Sequence, residues 1–92
     1  MIVDSLRFRL LLRESRSLKD KRQVVNSIKD RLRGGFNVSV AEVESQDNRQ
    51  LAVLGVAMVG AETTAVRGAL QQIAESLRRH PVAEFIDCQM DV

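Results

Sequence analysis

Lys19, Arg22, Lys29 and Arg33, with Arg13 and Arg16 just upstream, are the residues of this chain whose types and spacing point most directly to a chemistry. Clustered guanidinium and ammonium groups bind polyanions, because neutralising phosphates releases their condensed counterions. Between positions 5 and 33 ten Arg and Lys stand against three acids, a local charge of +7, whereas the rest of the chain carries −5. The formal net charge of +2 therefore conceals a polarised molecule. Such a run also suits a solvated helix face. The sparseness of acids within it favours a binding surface, one that positions a nucleic acid by its phosphates and reads little sequence.

Other chemistries lack their residues. One histidine (His80) and one cysteine (Cys88) are too few and too far apart for a structural zinc site, and neither GxxxxGK[ST] nor GxGxxG occurs. A nucleophile–base device would need His80, which precedes Pro81 at an expected helix end, where a cation complements the helix dipole. Glu42, Glu44 and Asp47 offer oxygens to a hard metal ion, but their spacing specifies no site and a solvated loop is expected. No catalytic residue, metal or cofactor is expected. The lone thiol cannot form an internal disulfide, no apolar run approaches the ~18 residues of a membrane span, and the N-terminus lacks a signal-peptide layout. A cytoplasmic setting is expected.

Six elements position these residues in one domain over 1–92. Leu6, Phe8, Leu10 and Leu12 alternate with Arg7, Arg9 and Arg13, the period of a strand. Ser17 and Asp20 resemble a capping box, so a helix starts near Leu18, with Leu18, Val24, Val25, Ile28 and Leu32 on its apolar face. Gly34 or Gly35 is expected to end it with a positive φ. Residues 36–45 read as a strand whose phase slips at 41–43, the mark of a bulge. Turn residues follow, then a nearly continuous apolar run over 51–59, typical of a central strand. A second helix over 62–79 turns Val66, Leu70, Ile73 and Leu77 inward, and a last strand over 84–92 places Ile86, Cys88 and Met90 on one face. The order βαββαβ predicts a ferredoxin-like α+β fold: a four-stranded antiparallel sheet with both helices on one face.

Lys21 falls amid the apolar positions of the first helix. Its alternatives are to snorkel to water from the first turn, the reading its position favours, to pair with a carboxylate, or to be buried and chemically active. On the open sheet face Arg7 and Arg9 are expected to meet Asp87 and Asp91. The central strands carry no aromatic on that face, which argues against base stacking there. The apolar run over 51–59 has groups for both faces, so a homodimer through the sheet or the 36–60 hairpin is a second expectation, against shielding by Arg stems.

The stretches SLKDKR (17–22), KDRLRGGFNVSVAEV (29–43), QD (46–47) and LGVAMV (54–59) resemble the YlxP-like family, small bacterial proteins filed as a domain of unknown function. The resemblance runs over nearly the whole chain and is weakest in the second helix and the ending DCQMDV. It implies a ferredoxin-like fold and, through gene neighbourhoods of transcription antitermination, translation initiation and ribosome maturation, a role near RNA. It lends no active site. Acylphosphatases share the topology but require a Gly-rich anion loop after the first strand, and here that loop, 13–16, has Arg without Gly. The leading expectation is a non-catalytic protein that binds structured RNA or a ribosomal subunit through Arg13, Arg16, Lys19, Arg22, Lys29 and Arg33. The alternative is a homo-oligomeric interaction module for a protein or small ligand.

Overall fold

In the computed structural model, which describes residues 1–91, the chain runs β1 (Ile2–Leu11), α1 (Leu18–Gly35), β2 (Val38–Glu44), β3 (Leu51–Gly60), α2 (Thr63–Arg78) and β4 (Glu84–Asp91). The strands form one antiparallel sheet in the order β2-β3-β1-β4. This is the ferredoxin-like arrangement that the alternation of strand and helix periods dictates, with β1 and β3 central and β2 and β4 at the edges. Val92 and the Asp91 side chain lie outside the described residues, and with them the expected strand end and the expected role of Asp91.

Both helices cover one sheet face. Leu6, Phe8 and Leu10 of β1 and Ala52, Leu54 and Val56 of β3 meet Val25, Ile28 and Leu32 of α1 and Val66, Leu70, Ile73 and Leu77 of α2, all buried. Ser17 caps α1 by accepting the Asp20 N–H at 3.1 Å, and Asp20 Oδ2 reaches back to the Arg16 N–H at 3.0 Å. The reciprocal pair is the expected capping box, the returning acid serving the amide one residue before the cap.

Two local expectations change. Neither Gly34 nor Gly35 has a positive φ: the helix runs through both, and Phe36, with extended backbone, stops it while its N–H still reaches Leu32 O at 2.9 Å. The positive φ of this half of the chain belongs to Ser45, at 59°. In β4 the register against β1 shifts between Arg9 and Leu10, so Phe85 pairs with Leu10 and packs on the core while Ile86 bulges out, 43% exposed. The bulge expected in β2 is present: Glu42 pairs with Leu54 and Glu44 with Val53, leaving Val43 extra.

Candidate nucleic-acid interface

The sheet face opposite the helices consumes its own arginines. Arg7 Nη1 donates to Glu44 Oε1 on β2 at 2.7 Å, Arg9 Nε donates to Asp87 Oδ1 on β4 at 3.0 Å, and Arg13 Nε donates to Glu84 Oε2 at 2.6 Å. Arg9 thus has its expected partner. Arg7 reaches Glu44 across β3, a partner that sequence spacing does not suggest because the β2 bulge sets which acid faces it. Hydrogen bonding from Arg13 and Arg9 holds the Glu84 and Asp87 carboxyls below the usual carboxylate range. Beneath this lattice Val53, on the non-core side of β3, is only 1% exposed. Shielding by Arg stems therefore serves this half of the face. The other end of the face keeps Val3 and Val59 at 65% and 48% exposed, while Val43, 44% exposed, covers Gly55 beside Arg7.

The cations of α1 are sorted differently. Arg16, Lys19, Arg22 and Lys29 enter no ion pair among the described residues, and Arg16, Lys19 and Arg22 are exposed. At ~100° per residue Arg22, Lys29 and Arg33 fall within a narrow stripe on one flank of the helix, ~16 Å long from Arg22 to Arg33. Arg33 also donates to Val40 O, a main-chain acceptor of edge strand β2, at 3.0 Å. Of the six residues singled out by sequence, Arg13 is thus engaged by Glu84 on the sheet side and Arg33 is tethered to β2. Arg16, Lys19, Arg22 and Lys29 enter no ion pair among the described residues.

Lys21 does not snorkel. It is fully buried, and Nζ donates to three main-chain oxygens, two in the β2–β3 connection and one at the start of β3: Ser45 O at 2.9 Å, Gln46 O at 3.2 Å and Leu51 O at 3.2 Å. Glu42 Oε2 lies 2.7 Å away in an ion pair, with no hydrogen bond of its own. An ammonium has three N–H bonds, and the carbonyls can occupy all of them, so we read the carboxylate contact as charge against charge. The carboxylate pairing considered from sequence is the one realised. What sequence does not show is the cage of carbonyls, because a hairpin turn seats main-chain oxygens over the first turn of α1.

That cage brings a further cation to the interface. The 45–51 connection is tied down by Lys21, by Gln50 Nε2 donating to Arg13 O at 3.2 Å and Ser15 O at 3.4 Å, and by Asn48 Oδ1 accepting the Gln50 and Leu51 N–H groups at 2.9 Å. Arg49 then lines a shallow recess with Arg16, Asp47 and Asn48 at the N-terminal end of α1. Of the three hairpin acids, Glu42 turns to Lys21 and Glu44 to Arg7, while Asp47 stays in the recess beside Arg16 and Arg49.

His80 takes a local structural role of another kind than the cation expected at the helix end. Its Nδ1 accepts the Val82 and Ala83 N–H groups at 3.1 and 3.0 Å, which requires that nitrogen unprotonated, and burial, aided by nearby Arg31, lowers its pKa below the usual value.

Comparison with known proteins bears on this arrangement. The protein resembles the "Uncharacterized protein YlxP" of Bacillus subtilis (strain 168), 31% identical over 74 residues that cover 80% of each chain. Its backbone is similar to the solution NMR structure of a de novo designed protein with a ferredoxin fold, at a TM-score of 0.54 and 14% identity, over 100% of this chain and 87% of the other, a likeness of fold alone. Residues 3–90 match the family described as "Protein of unknown function (DUF503)". Nearly the whole sheet and both helices fall within that match, and the chain belongs to the DUF503 family.

Proposed function

We propose that this protein is a non-catalytic RNA-binding accessory protein that docks on RNA, free or within a ribosomal subunit, through α1. The observation that carries the reading is the division of its cations. The arginines of the sheet face have acidic partners, whereas Arg16, Lys19, Arg22 and Lys29 have none among the described residues. Clustered unpaired cations gain affinity from phosphates by counterion release, whereas cations already paired must first break a contact. The setting near translation comes only from the family resemblance.

Co-sedimentation with ribosomal subunits at low and moderate salt tests it, with Lys19→Glu/Arg22→Glu/Lys29→Glu as the comparison. Salt-sensitive association lost in the variant supports the reading, and equal association of the variant sinks it. Arg33 is left out of the variant because it also binds the edge of β2.

A second reading rests on the half-open sheet face. Val3 and Val59 are directly opposite one another on β1 and β3 and leave apolar surface in water. That favours self-association through the sheet. Light scattering on the chain and on Val59→Lys decides: a dimer that becomes a monomer in the variant supports it, and a monomer from the start removes it.

A further inference from the structure

We infer that the RNA form this surface takes is a duplex, held by its phosphate backbone, and that Arg49 of the β2–β3 connection is part of the grip. The inference rests on the RNA-binding reading and adds the class of ligand and a residue on a second element.

Single-stranded RNA is held by proteins that stack its bases on aromatic rings or on guanidinium planes. This chain has no tryptophan or tyrosine and three phenylalanines. Phe8 is fully buried, and Phe36 and Phe85 pack against the core. The guanidinium groups of the open sheet face are also committed, Arg7 to Glu44, Arg9 to Asp87 and Arg13 to Glu84. The platform on which a ferredoxin-like sheet would splay bases is thus closed by ion pairs and bare of rings.

What remains are cations on a rigid rod. The crest of α1, opposite its buried stripe, carries Lys19 at its N-terminal end, then Gln23, Ser27 and the acidic Asp30. A helix that entered a groove would lead with that crest and set Asp30 against the nucleic acid. The flank carrying Arg22 and Lys29 instead suits a side-on approach along one line of phosphates. A-form RNA admits this, because its deep, narrow major groove excludes side chains and its recognition relies on shape and backbone. Arg49 and Arg16 share the recess at the N-terminal end of the same rod, two cations against the one acid there, Asp47. They extend the cationic line from α1 onto a second element, fixed there by the carbonyl cage around Lys21.

The test is fluorescence anisotropy of the whole chain with three probes of equal length: an RNA duplex, the same duplex with shuffled sequence, and an unstructured single-stranded RNA. The two duplexes are expected to bind within about twofold of each other, and at least about tenfold more tightly than the single strand. Arg49→Glu is expected to weaken duplex binding and to reduce the slope of log affinity against log salt by about 1, as Lys19→Glu does. Single strand bound as tightly as duplex overturns the duplex assignment and leaves the RNA-binding reading standing. Duplex binding unchanged by Arg49→Glu removes that residue from the grip. No binding of any probe at low salt overturns both the inference and the reading beneath it.

Discussion

Ser45 holds a left-handed backbone, φ 59°, and its carbonyl accepts a hydrogen bond from Lys21 Nζ at 2.9 Å. A conformation that side-chain-bearing residues rarely adopt thus lies at the point where the hairpin closes over α1. The same oxygen also accepts the Asn48 N–H at 3.0 Å, so one strained peptide anchors both the turn and the helix.

Lys21→Met is expected to lower stability by about 3–5 kcal/mol, because it leaves Glu42 without its counter-charge and takes three carbonyls' donor away. Glu42→Gln should cost less, since the carbonyls keep their donor and the side chain is 16% exposed. Urea denaturation of both single variants and of the double variant checks this. Strict additivity would show that the pair does not act as a unit.

Gly34→Ala is expected to stabilise the protein by about 0.5–1 kcal/mol, because Gly34 is helical and an added Cβ meets nothing within 4 Å. Gly60→Ala is expected to destabilise it, since its Cβ would lie 2.6 Å from Val66 Cγ2 in the core. Thermal melts of the two variants should move in opposite directions.

Protonating His80 removes the acceptor for two main-chain N–H groups. Its folded pKa is lowered, so its contribution is fully present above the unfolded value near 6.5 and is lost as pH falls through the lower folded one. The single histidine gives an unambiguous proton NMR titration, expected to have its midpoint below 6.5. A midpoint above 6.5 would restore the cation at the helix end.

Asp87 and Glu84 titrate below their ordinary values through Arg9 and Arg13. For such depressed carboxyls the stabilisation is present above the unfolded pKa and fades as pH falls through the folded one. Carboxyl NMR titrations of Arg9→Ala and Arg13→Ala are expected to show Asp87 and Glu84, respectively, moving back up. Both groups are exposed, so 1 M salt should narrow the difference.

The strands and helices were legible because hydrophobic period and burial coincide here: Val66, Leu70, Ile73 and Leu77 read as one stripe and pack as one. The β2 bulge was legible too, since β alternation fails visibly at Val43. Its counterpart in β4 was not, because Phe85, Ile86, Cys88 and Met90 fit two phases and only pairing with Arg9 and Leu10 chooses between them. Helical phase placed Lys21 correctly inside the apolar stripe. A first-turn position ordinarily lies near water, but here the hairpin closes over it. Arg49 carries no local signal for the same reason: its neighbourhood with Arg16 is made by tertiary folding.

Both open edges of the sheet are spoiled as templates for further strands. β4 carries a bulge where it pairs with β1, and β2 carries another where it pairs with β3, with the Arg33 guanidinium occupying the Val40 carbonyl. Irregular or charged margins of this kind keep sheets from growing laterally into fibres. Arg33 is thereby a solubility residue as well as a cation of the α1 flank. Arg33→Glu should raise the tendency of concentrated samples to aggregate on standing, whatever it does to RNA.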